Sequence, residues 1–165
     1  MKHKNKFLAP FLFTLGVVLF FSSPNRTNAL AVKGNSTDAW VTDFSAAQAL
    51  SKENGKPMLL EFTGSDWCPP CMRMNKEVFS QETFLTYAGE NLILVKLDFP
   101  RRKEQAADLK EQNEALAQQY EVRGFPTVVL VSPGGEVINS DVGFRPGGAE
   151  AYVEYIKGVL AAQSL

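Results

Sequence analysis

Residues 58–71 read Met58-Leu59-Leu60-Glu61-Phe62-Thr63-Gly64-Ser65-Asp66-Trp67-Cys68-Pro69-Pro70-Cys71, and they decide the fold. Met58 to Phe62 is a short apolar run of buried-strand length. Thr63 to Trp67 is a polar turn, and Cys68 opens a helix that runs to about Phe79. Two prolines suit that place, because the first amides of a helix have no partner within it. A strand, a turn and a helix N-terminus therefore converge on two cysteines.

Cysteines separated by two residues at a helix start can close a small disulfide reversibly. The positive end of the helix favours a thiolate on the first of them. A thiolate attacks a disulfide, and the second cysteine then resolves the mixed disulfide. Cys68 is thus the expected nucleophile and Cys71 the resolving residue. A permanent staple is the competing reading, but closing so short a loop stabilises a chain by only about 2 kcal/mol. A structural zinc site needs four ligands, and the chain has 2 cysteines. Copper delivery through two thiolates lacks the histidine that such sites generally use.

Upstream, Asp43 or Thr42 can cap a helix to about Asn54, closed by Gly55 with Lys56-Pro57 beyond. Downstream, residues 81–88 suit a short helix, and Leu92 to Leu97 reads as a second buried strand. Leu109, Leu116 and Tyr120 share one face of a long charged helix, with Ala106 and Ala117 beside them. Thr127 to Val131 is a third strand, Pro133-Gly134-Gly135 a turn, and Glu136 to Ser140 a hairpin partner. Gly147-Gly148 precedes a last helix carrying Tyr152, Tyr155, Ile156, Val159 and Leu160. The order α-β-α-α-β-α-β-β-α implies an α/β fold. Its central mixed sheet is flanked by helices on both faces, and the last two strands are antiparallel.

The N-terminal residues read differently. Lys2, Lys4 and Lys6 precede an almost wholly apolar run, Phe7 to Phe21, and Ala29-Leu30-Ala31 is a small-x-small site. That is the order of a secretory signal peptide, cleaved after Ala31 or Ala29. An uncleaved anchor is the alternative, but the run is short of the roughly 17–25 residues of a spanning helix, and Pro10 interrupts it. Residues 1–31 are therefore read as a signal peptide and 32–40 as a flexible lead-in whose Trp40 docks on the domain. Residues 41–165 form one domain. Beyond residue 31 the chain holds 13 basic against 18 acidic residues, a net charge of −5. No stretch concentrates positive charge as a nucleic-acid footprint requires. The single histidine, His3, lies in the signal segment, which excludes imidazole-dependent proteases, hydrolases and metal sites from the domain.

Three segments resemble the thioredoxin family. Leu59-Leu60-Glu61-Phe62 with Trp67-Cys68-Pro69-Pro70-Cys71 is similar to its active-site strand and loop. Leu94-Val95-Lys96-Leu97-Asp98 is similar to its next strand, and Arg123-Gly124-Phe125-Pro126-Thr127 to its cis-proline loop. The matches span residues 41–162 in family order and imply a thioredoxin fold with thiol–disulfide oxidoreductase activity. The resemblance also implies that Pro126 is cis and lies against the disulfide, leaving the Phe125 backbone to pair with an extended substrate. A trans proline starting a strand is the alternative. Trp67 then shields the disulfide and offers partners an apolar surface, or is a half-buried core aromatic.

Glu61 sits where the family carries a buried carboxylate, which could take a proton from Cys71, and burial would raise its pKa to suit. Lys96 matches the family lysine paired with that acid. This sequence has one residue more between the acid and the first cysteine, and Glu replaces the usual Asp; an exposed glutamate at a strand edge is the alternative.

The signal segment, the turn before Cys68 and the Leu94–Pro100 run together resemble secreted bacterial thioredoxin-like oxidoreductases, the DsbH type among them. That implies a periplasmic, monomeric enzyme acting on protein or peptide disulfides. The chain has no nucleotide motif and no cofactor site, so a membrane reductase of the DsbD or CcdA kind is the expected electron donor. A dedicated reductant of one partner, such as apocytochrome c thiols, is one alternative; a non-catalytic binding module is another. The stretch from Phe99 to Tyr120 carries a longer helix than a minimal thioredoxin, and its charged face is a solvated surface or a partner surface.

Pro69 and Pro70 both lack an amide hydrogen, so fewer donors can face the Cys68 sulfur than in the usual Gly-Pro dipeptide. A weakly stabilised thiolate and a reducing couple are expected. Titration of thiolate absorbance in the reduced protein should place the Cys68 pKa above about 5; a lower value contradicts this reading of the prolines.

Overall fold

The computed structural model describes residues 39–162. The signal segment 1–31 and all of the lead-in except Ala39 and Trp40 lie outside the described residues. The elements run β1 (Trp40–Val41), α1 (Phe44–Asn54), β2 (Met58–Thr63), α2 (Pro69–Met74), a π-helical turn (Asn75–Phe79) and α3 (Glu82–Asn91). They continue with β3 (Ile93–Asp98), α4 (Ala107–Gln119), β4 (Thr127–Val131), β5 (Val137–Val142) and α5 (Gly148–Ala161).

Local chemistry explains the boundaries. The Asp43 carboxylate caps α1 by accepting the Ala46 N–H at 3.1 Å, and Gly55 ends the helix in the left-handed region at φ 66°. β2 and β4 are buried along their whole length, as their apolar runs require. The sheet order is β1-β3-β2-β4-β5, with β1, β3 and β2 mutually parallel. β4 is antiparallel to both β2 and β5. The fold is thus the mixed-sheet α/β fold expected from the sequence.

The two faces of the sheet carry separate cores. Leu59, Leu94, Val128 and Leu130 pack with Met74, Phe79, Phe84, Tyr152 and Ile156 from α2 through α3 and from α5. On the other face Leu60, Phe62, Val95 and Val129 meet Ala47 of α1 and Leu116 of α4.

The structure departs from the sequence reading most at four places. Trp40, assigned to the lead-in, begins β1 and pairs with Leu94 of β3; two residues are too few for a strand period to show. The helix after Cys71 is broken at Asn75 by the π turn, closed by Ser80 N–H donating to Asn75 O at 2.9 Å. That extra residue lets neighbouring Val78 and Phe79 both turn inward. Residues 99–106 are a loop, so the helix after β3 starts only at Ala107. β5 starts at Val137 and extends past Ser140 to Val142, because the sheet edge it follows is longer than the hairpin signal.

Phe84 is fully buried between Phe79 (ring centroids 4.9 Å), Tyr152 (6.3 Å) and Trp40 (6.5 Å). Phe84→Ala removes the centre of that cluster and should cost about 3–5 kcal/mol in urea unfolding.

Candidate active site

Side chains alternate across a strand, so Glu61 lies on the Leu59 face of β2, toward α2. Glu61, Thr63, Ser65, Cys71, Met72, Asn75 and Lys96 line one cavity of about 130 Å³. The carboxyl read from the sequence as either buried or exposed is therefore buried, and it shares a cavity with Cys71. Glu61 pairs in register with Lys96 of β3, and Lys96 Nζ lies 3.9 Å from Glu61 Oε2. That is too long for a hydrogen bond, and Oε2 has no hydrogen-bond partner among the described residues. The Lys96 ammonium also sits 5.0 Å from the Trp40 ring centroid. Burial dominates: it pushes the Glu61 carboxyl up to about 7 against the opposing pull of Lys96.

Cys68 is the cap residue of α2, with extended backbone at φ −95° and ψ 103°. Its N–H donates to Gly64 O at 2.9 Å, and its carbonyl accepts from Met72 N–H at 3.1 Å. Pro69 and Pro70 fill the first two helical positions, so Cys71 is the first helical residue with an N–H. The two cysteines are joined in a disulfide with Cα atoms 5.3 Å apart, and both are buried.

The Phe125–Pro126 peptide bond is cis. Pro126 runs straight into β4, and its carbonyl accepts from Gly143 N–H at 2.8 Å. The Phe125 ring meets Trp67 edge-on at 5.8 Å and Phe99 at 5.0 Å. The half-buried Trp67 is fixed by its indole N–H, which donates to Phe99 O at 2.7 Å. Gly64 lies so close that a Cβ there would stand 2.6 Å from the Trp67 ring, so only glycine fits.

Sequence reasoning missed the two acids that shape this corner. Asp98 accepts both the N–H and the hydroxyl of Ser65, tying the turn to the end of β3. Asp66 accepts three consecutive backbone amides, from Arg101 (3.0 Å), Arg102 (2.7 Å) and Lys103 (3.1 Å). These amides, Arg101 first, hold its carboxyl below the usual range. An aspartate in a Gly-Ser-Asp turn signals a backbone cap. Its partners lie 35 residues or more along the chain, which no local pattern reveals.

A buried CxxC disulfide at a helix N-terminus, with a cis-proline loop in the same mixed sheet, defines a thioredoxin-fold redox protein. The thioredoxin-like family model matches residues 39–133, and the chain belongs to that family. It is 40% identical over 118 residues to the disulfide bond reductase DsbH of Chlamydia pneumoniae, covering 70% of each chain. The solved structure of a DsbH oxidoreductase superposes with a TM-score of 0.70 at 36% identity, covering 74% of this chain and 83% of that one. The thioredoxin-related protein DsbJ of Chlamydia pneumoniae is 29% identical over 127 residues, 77% of this chain but 34% of that protein.

The raised Glu61 pKa fixes a pH dependence. The unfolded carboxyl loses its proton near the ordinary glutamate value of 4.5, the folded one at about 7. Between these values the folded state holds more protons, so stability falls as pH rises, by at most about 1.4 kcal/mol per unit. Glu61→Gln should remove that slope and leave the oxidised protein more stable than wild type above pH 7, as read by denaturant unfolding across the range.

Proposed function

We propose that the protein is a disulfide reductase that acts in the periplasm on disulfides of other exported proteins. The observation that carries this is the Cys68–Cys71 pair at the head of α2, with Glu61 on the cavity behind Cys71. In the reduced protein the Cys68 thiolate attacks one sulfur of a substrate disulfide and releases the other as a thiolate. Cys71 gives its proton to Glu61 and attacks Cys68 Sγ, which expels the second substrate thiolate. Two electrons pass to the substrate, and the Cys68–Cys71 disulfide results. A carboxyl with a pKa near 7 is matched to that proton transfer at neutral pH. Lys96 moderates the buried charge that forms, while Trp67, Phe125 and Pro126 present the surface on which an extended substrate lies.

The reducing direction is supported by the likeness to a protein named as a disulfide bond reductase. Export is supported by the signal-peptide pattern of residues 1–31. Re-reduction falls to a membrane donor of the DsbD or CcdA kind, and the working form is a monomer. Reduced protein should cleave the disulfides of insulin, and Cys71→Ser should accumulate a mixed disulfide through Cys68 that Cys68→Ser cannot form. A couple near about −270 mV is expected; a value near about −120 mV would make the protein a disulfide donor and overturn the proposal.

A further inference from the structure

A groove of about 560 Å³ opens at Trp67, the residue that precedes Cys68. Trp67, Phe99 and Phe125 make its apolar wall, and Arg101, Lys103 and Glu104 stand on its rim. Across from them Lys110 and Glu114 of α4 neutralise each other at 3.9 Å. The rim loop is held in place, since Asp66 accepts the amides of residues 101–103 and the Arg101 guanidinium lies 3.5 Å from the Trp67 ring centroid. The side chains presented by this loop are three consecutive cations, Arg101, Arg102 and Lys103, all exposed. None of the three has an ion-pair partner among the described residues. They stand out against a net charge of −5 over residues 32–165. Even with Glu104 counted, the rim is cationic, and its field is opposite to that of the chain as a whole.

Building on the disulfide-exchange reading above, we propose that this groove selects substrates in which an acidic residue lies beside the disulfide cysteine. The aromatic wall covers the apolar part of the segment, and Arg101 and Lys103 take the carboxylate. An arginine stacked on an aromatic ring keeps the edge of its planar fork free for a carboxylate. A basic segment meets like charge at the same place, so discrimination has a repulsive part as well as an attractive one.

The test uses two disulfide-linked peptides that differ only in glutamate or lysine beside the cysteine, with neutral hydroxyethyl disulfide as a third substrate. Reduced wild-type protein should favour the glutamate peptide in kcat/KM by about five- to tenfold, the scale of one or two exposed ion pairs. The preference should shrink toward unity in high salt. Arg101→Glu combined with Lys103→Glu should invert it; because the readout is a ratio, a general loss of folded protein cancels. Equal rates for the two peptides, or a ratio untouched by the double substitution, overturn the subsite. Failure to reduce even hydroxyethyl disulfide instead overturns the thiol chemistry, and the selectivity falls with it.

Discussion

Asp98 gathers the pieces of the active corner onto the end of β3. Its carboxylate takes the N–H and hydroxyl of Ser65, while its carbonyl takes the side-chain amides of Gln105 and Asn113, at 3.0 and 2.9 Å. The turn before the cysteines, the loop after β3 and helix α4 thus meet on one residue. Asn113 is itself almost wholly buried, so its bond to Asp98 is made without competition from solvent. Next to it Gln112 bridges to the start of α1, accepting the Phe44 N–H and donating to Thr42 O. The geometry around Trp67 and Cys68 is therefore set by polar contacts between distant segments as much as by the helix that bears the cysteines.

The second constraint is electrostatic. β2 is buried along its whole length, and one of its six residues is a glutamate. Its nearest cation, Lys96, is 30% exposed and shares its ammonium between Glu61 and the ring of Trp40. A partner so placed cannot repay the loss of hydration, and burial outweighs attraction. β1, only two residues long, enters this balance because it brings Trp40 over Lys96.

What could be read from the sequence follows from how local each signal is. The strand runs Met58–Phe62 and Thr127–Val131, the cap at Asp43 and the cysteine pair each declare themselves within a few residues. The cis state of Pro126 was legible only through resemblance, because nothing in the neighbouring residues distinguishes it from a trans proline. Glu61 was ambiguous because a lone acid in an apolar run fits either a buried site or a strand edge, and the choice depends on β3 and β4 packing on both sides. The roles of Asp66 and Asp98 were invisible for a related reason. Their partners are backbone amides and a serine that become neighbours only when the sheet has formed. The loop at residues 99–106 is indistinguishable in sequence from the helix that follows, since its charges resemble a solvated helical face.

The buried glutamate has one more consequence, for spectroscopy. The one histidine in the chain is His3, so the described domain contributes no imidazole signal at any pH. A carboxyl pushed up to about 7 then titrates in a window that histidines fill in most proteins. Its carboxyl stretch in the infrared can be followed through neutrality with no imidazole of the described domain titrating in the same range. The fold thereby carries an intrinsic protonation reporter on the same cavity as Cys71, available without any label.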